Sequence, residues 1–262
     1  MFHGAPSSRL QCTFLDEHFA EYGLRIVSPD RPGYGGSSPQ PGRTLADWPA
    51  DVAALADALG IDHFGVIGGS SGGPYAAVCC ALLPERIIGG IITASPIPLD
   101  WPGARDHYPQ TVLDIMDLLP DEDAAIAWYT DRFGADGSRL PKPDPSELPK
   151  PDAAMLADET FAQHMQQVRE EALRQGIAGF VQDLLAQFRP WPFDPAQISV
   201  PVQVNHGELD TLVPIAYSHQ IAQRIPGADF SELTGHGHMS VMYEWPRLIS
   251  EFLQSVSPTA DS

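Results

Sequence analysis

Cysteine is scarce in this sequence of 262 residues. It contains three cysteines, Cys12 and the adjacent pair Cys79 and Cys80. Three cysteines do not make a disulfide framework, and no CxxC motif or cysteine–histidine cluster indicates a zinc site. The sequence therefore predicts a protein of a reducing compartment, the cytoplasm, without a zinc site.

Basic residues and long apolar runs are scarce as well. Lys and Arg number 15 against 34 Asp and Glu, which gives a formal net charge of −19 at pH 7. Because this charge repels nucleic acid and anionic membrane surfaces, we expect neither as a partner. No run of about 18 apolar residues could span a bilayer, and no basic segment followed by an apolar run marks a signal peptide. A small neutral substrate is compatible with this charge. The sequence contains no signal that indicates the oligomeric state.

Glycine, in contrast, is concentrated around two serines. Residues 66–73 read Val-Ile-Gly-Gly-Ser-Ser-Gly-Gly, and both Ser70 and Ser71 satisfy the pattern Gly-x-Ser-x-Gly. Between a strand and a helix, this pattern forms a nucleophile elbow that projects the serine hydroxyl from the sheet. The context favours Ser70, because a predicted strand over 63–68 ends just before it and a predicted helix begins with Pro74. The alternative is a glycine-rich turn without chemistry.

Strands and helices alternate in the first and last parts of the chain. This rhythm predicts a parallel sheet with helices on both faces. Residues 100–195 break the rhythm, because they are helical and aromatic and contain a proline tract over 141–151, which we interpret as an extended linker inside an inserted module. The predicted strands are 24–28, 63–68, 86–94, 201–205 and 229–233, and the predicted helices are 11–21, 44–59, 74–83, 214–224 and 245–255.

Two residues that could activate a serine follow the last two predicted strands. Asp210 comes after the strand over 201–205, and His238 comes after the strand over 229–233. A serine hydroxyl is a poor nucleophile until a base removes its proton, and a histidine base needs a carboxylate to fix its tautomer. The sequence therefore offers Asp210 and His238 as the acid and the base of a catalytic triad.

Alternatives for these roles stay open. His236 lies two residues before His238 and competes for the role of base, while Asp100 competes for the role of acid. His3 and His206 precede glycines in loops, and we expect them to hydrogen-bond to the backbone. The remaining histidines are assigned to surface or core packing: His18, His63, His107, His164 and His219.

The order serine, aspartate, histidine is that of α/β-hydrolases, and the chain resembles this family over nearly its whole length. The resemblance implies a central, mostly parallel sheet flanked by helices, with a helical lid inserted after the strand that ends near Ala94. It divides the chain into a core, 1–99 and 196–262, and a cap, 100–195. The resemblance rests on five motifs that occur in the family's order. They are the HGxP oxyanion loop (His3-Gly4-Ala5-Pro6), the DxxGxGxS loop (Asp30 to Ser37), the elbow (Gly68 to Gly72), the acid loop (Gly207 to Asp210, with Val213-Pro214) and the histidine loop (Gly237-His238).

The resemblance also implies a mechanism. Ser70 attacks a carbonyl with His238 as base and Asp210 as acid, the backbone N–H groups of Ala5 and Ser71 hold the oxyanion, and water then releases the acyl group. A serine at the elbow, where haloalkane dehalogenases and epoxide hydrolases have aspartate, argues against their chemistry. We therefore expect a serine hydrolase that cleaves an ester or related acyl bond of a small molecule without a metal ion or an organic cofactor. The alternatives are a catalytically weak ligand-sensing protein and a peptidase of the proline iminopeptidase type.

One feature departs from the family pattern. Members carry further strands before the HGxP loop, whereas here only Met1 and Phe2 precede it. The strand that delivers the loop would lie between the predicted strands over 24–28 and 63–68, and its absence would leave unpaired backbone in the core. We therefore expect the N-terminal strands to be truncated, or the start of the chain to be placed too late.

Overall fold

One parallel sheet of four strands forms the centre of the molecule. The computed structural model describes residues 1–106, 108, 110–114 and 118–256. The strands lie in the order β1-β2-β3-β4, and each neighbouring pair is parallel. The carboxyl ends of all four strands therefore lie at one edge of the sheet, which confirms the predicted parallel α/β class. The strands are β1 (Phe64–Gly69), β2 (Ile87–Thr93), β3 (Val202–Gly207) and β4 (Asp229–Leu233).

Helices connect these strands, and those predicted for the core form with boundaries close to the expected ones. The helix predicted over 11–21 is shorter, since a 3-10 turn, Thr13–Leu15, precedes α1. None of the described helices has the length and hydropathy needed to cross a membrane. The helices are α1 (Asp16–Glu21), α2 (Trp48–Ala58), α3 (Gly73–Leu82), α4 (Gln110–Leu113), α5 (Glu122–Phe133), α6 (Lys150–Ala157), α7 (Glu159–Ala172), α8 (Ala178–Phe188), α9 (Ile215–Arg224) and α10 (Trp245–Val256).

Strand β2 is buried on both faces. Ile91 packs in the cluster that includes helix α10, while Ile92 packs in the cluster that includes helix α3. Successive side chains of a strand point to opposite faces, so the apolar run of β2 supplies both layers of the core. Helix α3 is buried along most of its length and carries Cys79 and Cys80 without a disulfide. Burial raises the pKa of Cys80 to about 12, so its thiol stays protonated.

Residues 100–195, which we call the insert, contain helices α4 to α8 between β2 and β3. Its aromatic cluster, built from α5 and α8, also takes in Tyr34 and Leu99 from outside the insert. A side chain at Gly179 of α8 would stand 2.4 Å from the carbonyl oxygen of Gly33, so the two backbones are in direct contact. The insert is thereby packed on the loop that follows residue 30. The division into a core and a cap stays a prediction.

Met1 and Phe2 lie between β1 and residues 24–27. The N–H of Phe2 donates to the carbonyl of Ile67 at 2.8 Å, and the Met1 ammonium donates to the carbonyl of Val27 at 2.7 Å. Bonds from successive residues to opposite sides are the pattern of a strand inside a sheet. An apolar groove of about 380 Å³ continues alongside the first residues of β1.

The strand predicted over 24–28 is wrong in this structure, since these residues form no regular secondary structure. A strand is stabilised by a ladder of bonds to a neighbour, and the described backbone gives this segment a single such bond, from Met1. The expectation that further strands precede Met1 stays a prediction.

Candidate active site

The turn at Ser70 has the geometry of a strained elbow. Ser70 directly follows β1, and a 3-10 turn leads from it into helix α3. Its φ is +52°, which makes it one of two non-glycine residues with positive φ in the described part of the chain. A Cβ atom at Gly68 would stand 2.1 Å from the carbonyl oxygen of Gly72, so the close approach of strand and helix requires glycine there. Ser70 is half-buried and Ser71 is buried, which favours Ser70 as the reactive serine.

Asp210 and His238 come together at the same edge of the sheet. Asp210 follows β3, His238 follows β4, and the Nδ1 of His238 lies 2.8 Å from the Oδ2 of Asp210. The other carboxylate oxygen accepts hydrogen bonds from the N–H groups of Leu212 at 2.8 Å and Val213 at 2.9 Å. Since a carboxylate accepts only, Nδ1 must carry the proton, and Nε2 is left with the lone pair of a base.

Asp210 and His238 also shift each other's pKa. Burial alone would raise the pKa of Asp210, but the nearby imidazole and the N–H donor of Val213 outweigh it and hold the pKa below the ordinary value. Burial alone would lower the pKa of His238, but the Asp210 carboxylate outweighs it and raises the pKa above the ordinary value of 6.5. Asp210 is therefore ionised at neutral pH and stabilises the imidazolium form of His238.

The rival residues are placed less favourably. His236 turns the other way, with Nδ1 3.1 Å from the carbonyl of Ser240 and Nε2 3.4 Å from the carboxylate of Glu244. Asp100 is exposed in the turn after β2, whereas Asp210 already bonds to a histidine. The geometry therefore favours His238 over His236 and Asp210 over Asp100.

His3 and His206 bond to the backbone, as predicted. The Nδ1 of His3 lies 2.7 Å from the carbonyl of Gly4, and the Nε2 of His206 lies 3.0 Å from the carbonyl of Val213. Burial lowers the pKa of His206, which is therefore neutral and supports the loop that carries Asp210. His107 lies outside the described residues.

The loop over residues 3–6 lies against the elbow. A Cβ atom at Gly4 would stand 3.6 Å from the Cβ of Ser70. The Arg31 guanidinium donates to the carbonyls of His3 and Gly4, the second at 3.0 Å. Because the peptide group is planar and trans, the N–H of Ala5 points away from the carbonyl of Gly4 and therefore away from Arg31.

A buried carboxylate that the sequence analysis missed supports this loop from behind. Asp183, on helix α8 of the insert, has 0% of its side chain exposed and lies 2.7 Å from the Nη2 of Arg31 and 3.1 Å from that of Arg43. It also accepts from the hydroxyl of Tyr75, in the first turns of α3, at 2.6 Å. Burial disfavours the ionised form, but the two arginines outweigh it and lower the pKa of Asp183 to about 2. One charge thus connects the insert, the loop over residues 3–6 and helix α3.

A signal for Asp183 was present in the sequence. It is the one charged residue in the otherwise apolar and amide-containing run Ala-Gly-Phe-Val-Gln-Asp-Leu-Leu-Ala-Gln-Phe. A lone carboxylate in an apolar helix is expected to have a cationic partner. Arg31 lies in the DxxGxGxS motif, but nothing in the pattern says which carboxylate it meets. No group of three or more His, Cys, Asp or Glu side chains that could hold a metal occurs in the described residues.

Comparisons with known proteins agree on one family. A family model described as alpha/beta hydrolase fold matches residues 1–244. The uncharacterized hydrolase YcgS of Bacillus subtilis (strain 168) is 28% identical over 222 residues, covering 84% of this chain and 77% of that protein. A non-heme chloroperoxidase of Streptomyces lividans is 28% identical over 247 residues, covering 91% and 84%. A thermophilic esterase of Thermogutta terrifontis, solved with malate bound, superposes with a TM-score of 0.70 at 21% identity, covering 98% and 89%.

Proposed function

This chain belongs to the alpha/beta hydrolase fold family, and from that premise we propose that it is a serine hydrolase cleaving an ester or related acyl bond of a small molecule. One observation carries the proposal. A histidine oriented by a buried aspartate lies at the same edge of the sheet as a serine with strained backbone. This combination is what activation of a serine hydroxyl requires.

In the proposed mechanism, the Oγ of Ser70 attacks the carbonyl carbon while the Nε2 of His238 accepts its proton. The tetrahedral intermediate then collapses to an acyl-enzyme, and His238 gives the proton to the departing alcohol oxygen. Water, deprotonated by His238, attacks the acyl carbon and releases the acid, and the proton returns to Ser70. Asp210 stays ionised throughout and stabilises the imidazolium. No cofactor takes part in this scheme.

The backbone N–H groups of Ala5 and Ser71 are proposed to hold the oxyanion. The N–H of Ser71 belongs to the turn at the start of helix α3, where backbone donors attract negative charge. The N–H of Ala5 faces away from Arg31, and the preceding residue packs on Ser70. Two donors from different loops would thus meet beside the reactive oxygen.

The substrate is proposed to bind under the insert, which would act as the lid. The names of the relatives, a chloroperoxidase and an esterase, fit the activation of a small carbonyl compound, and a cytoplasmic location remains part of the proposal. Under the competing proposal of a ligand sensor, the same site would release about one product per chain and then stop.

Labelling with a fluorophosphonate tests the proposal. We expect stoichiometric modification of the native chain, mapped to Ser70 by peptide mass spectrometry, and none after heat denaturation, because only an assembled site activates the hydroxyl. Incubation with short p-nitrophenyl esters should give many product molecules per chain. A burst that stops near one product per chain would favour the sensor, and a folded chain that resists labelling would contradict the hydrolase.

The dependence of activity on pH follows from the pKa of His238. The base must be neutral, and its pKa is raised above 6.5. We therefore expect kcat/KM to be lost as pH falls through a pKa above 6.5 and to be complete above it, as measured on the ester substrate from pH 5 to 9. This fall in kcat/KM is the acidic limb of the pH profile. His236→Gln, which changes a histidine paired with Glu244, should leave the acidic limb at the same pH. If the acidic limb of the native enzyme gave a pKa below 6.5, the assignment of His238 as the base would be contradicted.

A further inference from the structure

A second buried carboxylate, Asp152 of helix α6, lies against the loop that carries His238. Its exposed fraction is 0%. Its Oδ2 accepts a hydrogen bond from the N–H of Met239 at 3.1 Å, and its Oδ1 accepts from the N–H of Ser240 at 2.8 Å and from the Ser240 hydroxyl at 2.6 Å. Both residues that follow His238 are therefore bonded to a side chain of the insert.

The residue before His238 is bonded to the same carboxylate through Ser240. The N–H of Gly237 donates to the Ser240 hydroxyl oxygen at 2.7 Å, and that hydroxyl donates to Asp152. A Cβ atom at Gly237 would stand 2.5 Å from a carboxylate oxygen of Asp152, so the approach of the two chains requires glycine. The backbone on both sides of His238 is thus fixed by one group.

The placement of Asp152 is unusual for an acidic residue at the start of a helix. Asp152 lies in the first turn of α6, where an acidic residue is ordinarily exposed and interacts with its own helix. Here the side chain points away from its own helix and accepts three hydrogen bonds from a loop 87 to 88 positions further along the chain. A buried carboxylate with such a set of donors holds their geometry firmly, because each bond to a charged acceptor is stronger than a neutral one.

We propose that Asp152 is a positioning residue for His238: the insert contributes, through this carboxylate, the anchor that holds the histidine loop in the arrangement needed for proton transfer. This inference rests on the proposed role of His238 as base. Asp210 orients the ring through Nδ1, while Asp152 fixes the backbone from which the ring extends. The insert is then a part of the proton-transfer machinery besides its proposed role as a lid.

The charge of Asp152 also acts on the ring. The titratable groups around His238 are Asp210 and His206 on the β3 side, Asp152 on α6, and His236 on its own loop. Like Asp210, Asp152 favours the charged imidazolium and raises the pKa of His238. Removal of its charge should therefore lower that pKa, an effect that loss of packing alone would not produce.

The test is Asp152→Asn, which keeps the shape and removes the charge and part of the acceptor capacity. We expect kcat for ester hydrolysis to fall about 10- to 100-fold, from the loss of bonds to a charged group. KM should stay within about 2-fold, since the group does not touch substrate. The acidic limb of kcat/KM should move to lower pH. Unchanged kcat and an unchanged limb in a folded variant would overturn the proposal.

Two further variants separate positioning from folding. Asp158→Asn changes an exposed aspartate that caps helix α7 through the N–H of Phe161, and it should leave both kcat and the limb unchanged. Ser240→Ala removes the hydroxyl between Gly237 and Asp152 but keeps the charge. It should lower kcat by less than Asp152→Asn without moving the limb, and it serves as the test if the asparagine variant does not fold. Full activity of Ser240→Ala would then count against the proposal.

Titration of the His238 ring by NMR is the closing experiment, because it does not depend on turnover. We expect the pKa of the ring to be lower in Asp152→Asn than in the native chain, and unchanged in Asp158→Asn. If the native chain proves inactive, the proposed hydrolase is wrong, and this shift still reports whether Asp152 acts on His238. An unshifted ring together with an unchanged kcat in Asp152→Asn would refute the inference while leaving the hydrolase in place.

Discussion

Replacing Ser70 by alanine should lower kcat for ester hydrolysis by about 10⁴- to 10⁶-fold, the loss found when a catalytic serine is removed and only binding and the oxyanion donors remain. The expected effect is large because no other hydroxyl takes the apex of the elbow, where φ is +52°. Alanine is smaller than serine and adopts the same backbone at similar cost, so the fold should be retained. Steady-state kinetics with a far-UV spectrum of each variant provides the measurement.

Ser71→Ala is the matched control. Ser71 is buried, and its proposed contribution is the backbone N–H, which alanine keeps. We expect its activity to stay within about 10-fold of the native enzyme, by comparison with the 10²- to 10³-fold cost of losing an oxyanion donor outright. The reverse result, an active Ser70→Ala and an inactive Ser71→Ala, would move the nucleophile by one residue and refute the assignment made here.

The strands of the core were predictable because their sequence signal is local. Buried parallel strands appear as short apolar runs between glycine, proline and polar turns, and the runs near residues 64, 87, 202 and 229 each became a strand. The segment over 24–28 has the same local signal and failed. A strand also needs a neighbour to pair with, and the pattern of one segment does not contain its partner.

The candidate site, like the strands, was predictable only in part. Motif order placed Asp210 and His238 on the loops after two strands, and parallel pairing of β3 with β4 then brings those loops together. Asp152 and Asp183 gave no comparable signal of their partners. Asp183 meets Arg31 across 152 positions of sequence, and Asp152, preceded by a proline, has the pattern of an ordinary exposed acid in a first helical turn. Contacts between the insert and the core depend on tertiary packing, which no local pattern encodes.

Asp183→Asn should lower the free energy of unfolding by about 3–5 kcal/mol, the typical cost of breaking a buried ion pair by removing one partner. The asparagine would leave Arg31 and Arg43 buried, at 0% and 2% side-chain exposure, without a countercharge. Unfolding in urea, followed by tryptophan fluorescence, measures the loss. Because Arg31 also holds the carbonyls of residues 3 and 4, kcat should fall together with stability.

Asp57→Asn provides the control for this prediction, since Asp57 pairs with Arg86 at 2.9 Å but is 66% exposed. Exposed pairs contribute about 0.2–1 kcal/mol, so this variant should unfold almost like the native chain.

The dependence of stability on pH adds a second check on the role of Asp183. The folded pKa of Asp183, about 2, lies below its ordinary value of 3.8, so its contribution is complete above the ordinary value and is lost as pH falls toward 2. The difference in stability between the native chain and Asp183→Asn should therefore shrink as pH falls from about 4 towards 2, whereas equal stability at pH 7 would show that the desolvation of the three charges cancels their attraction.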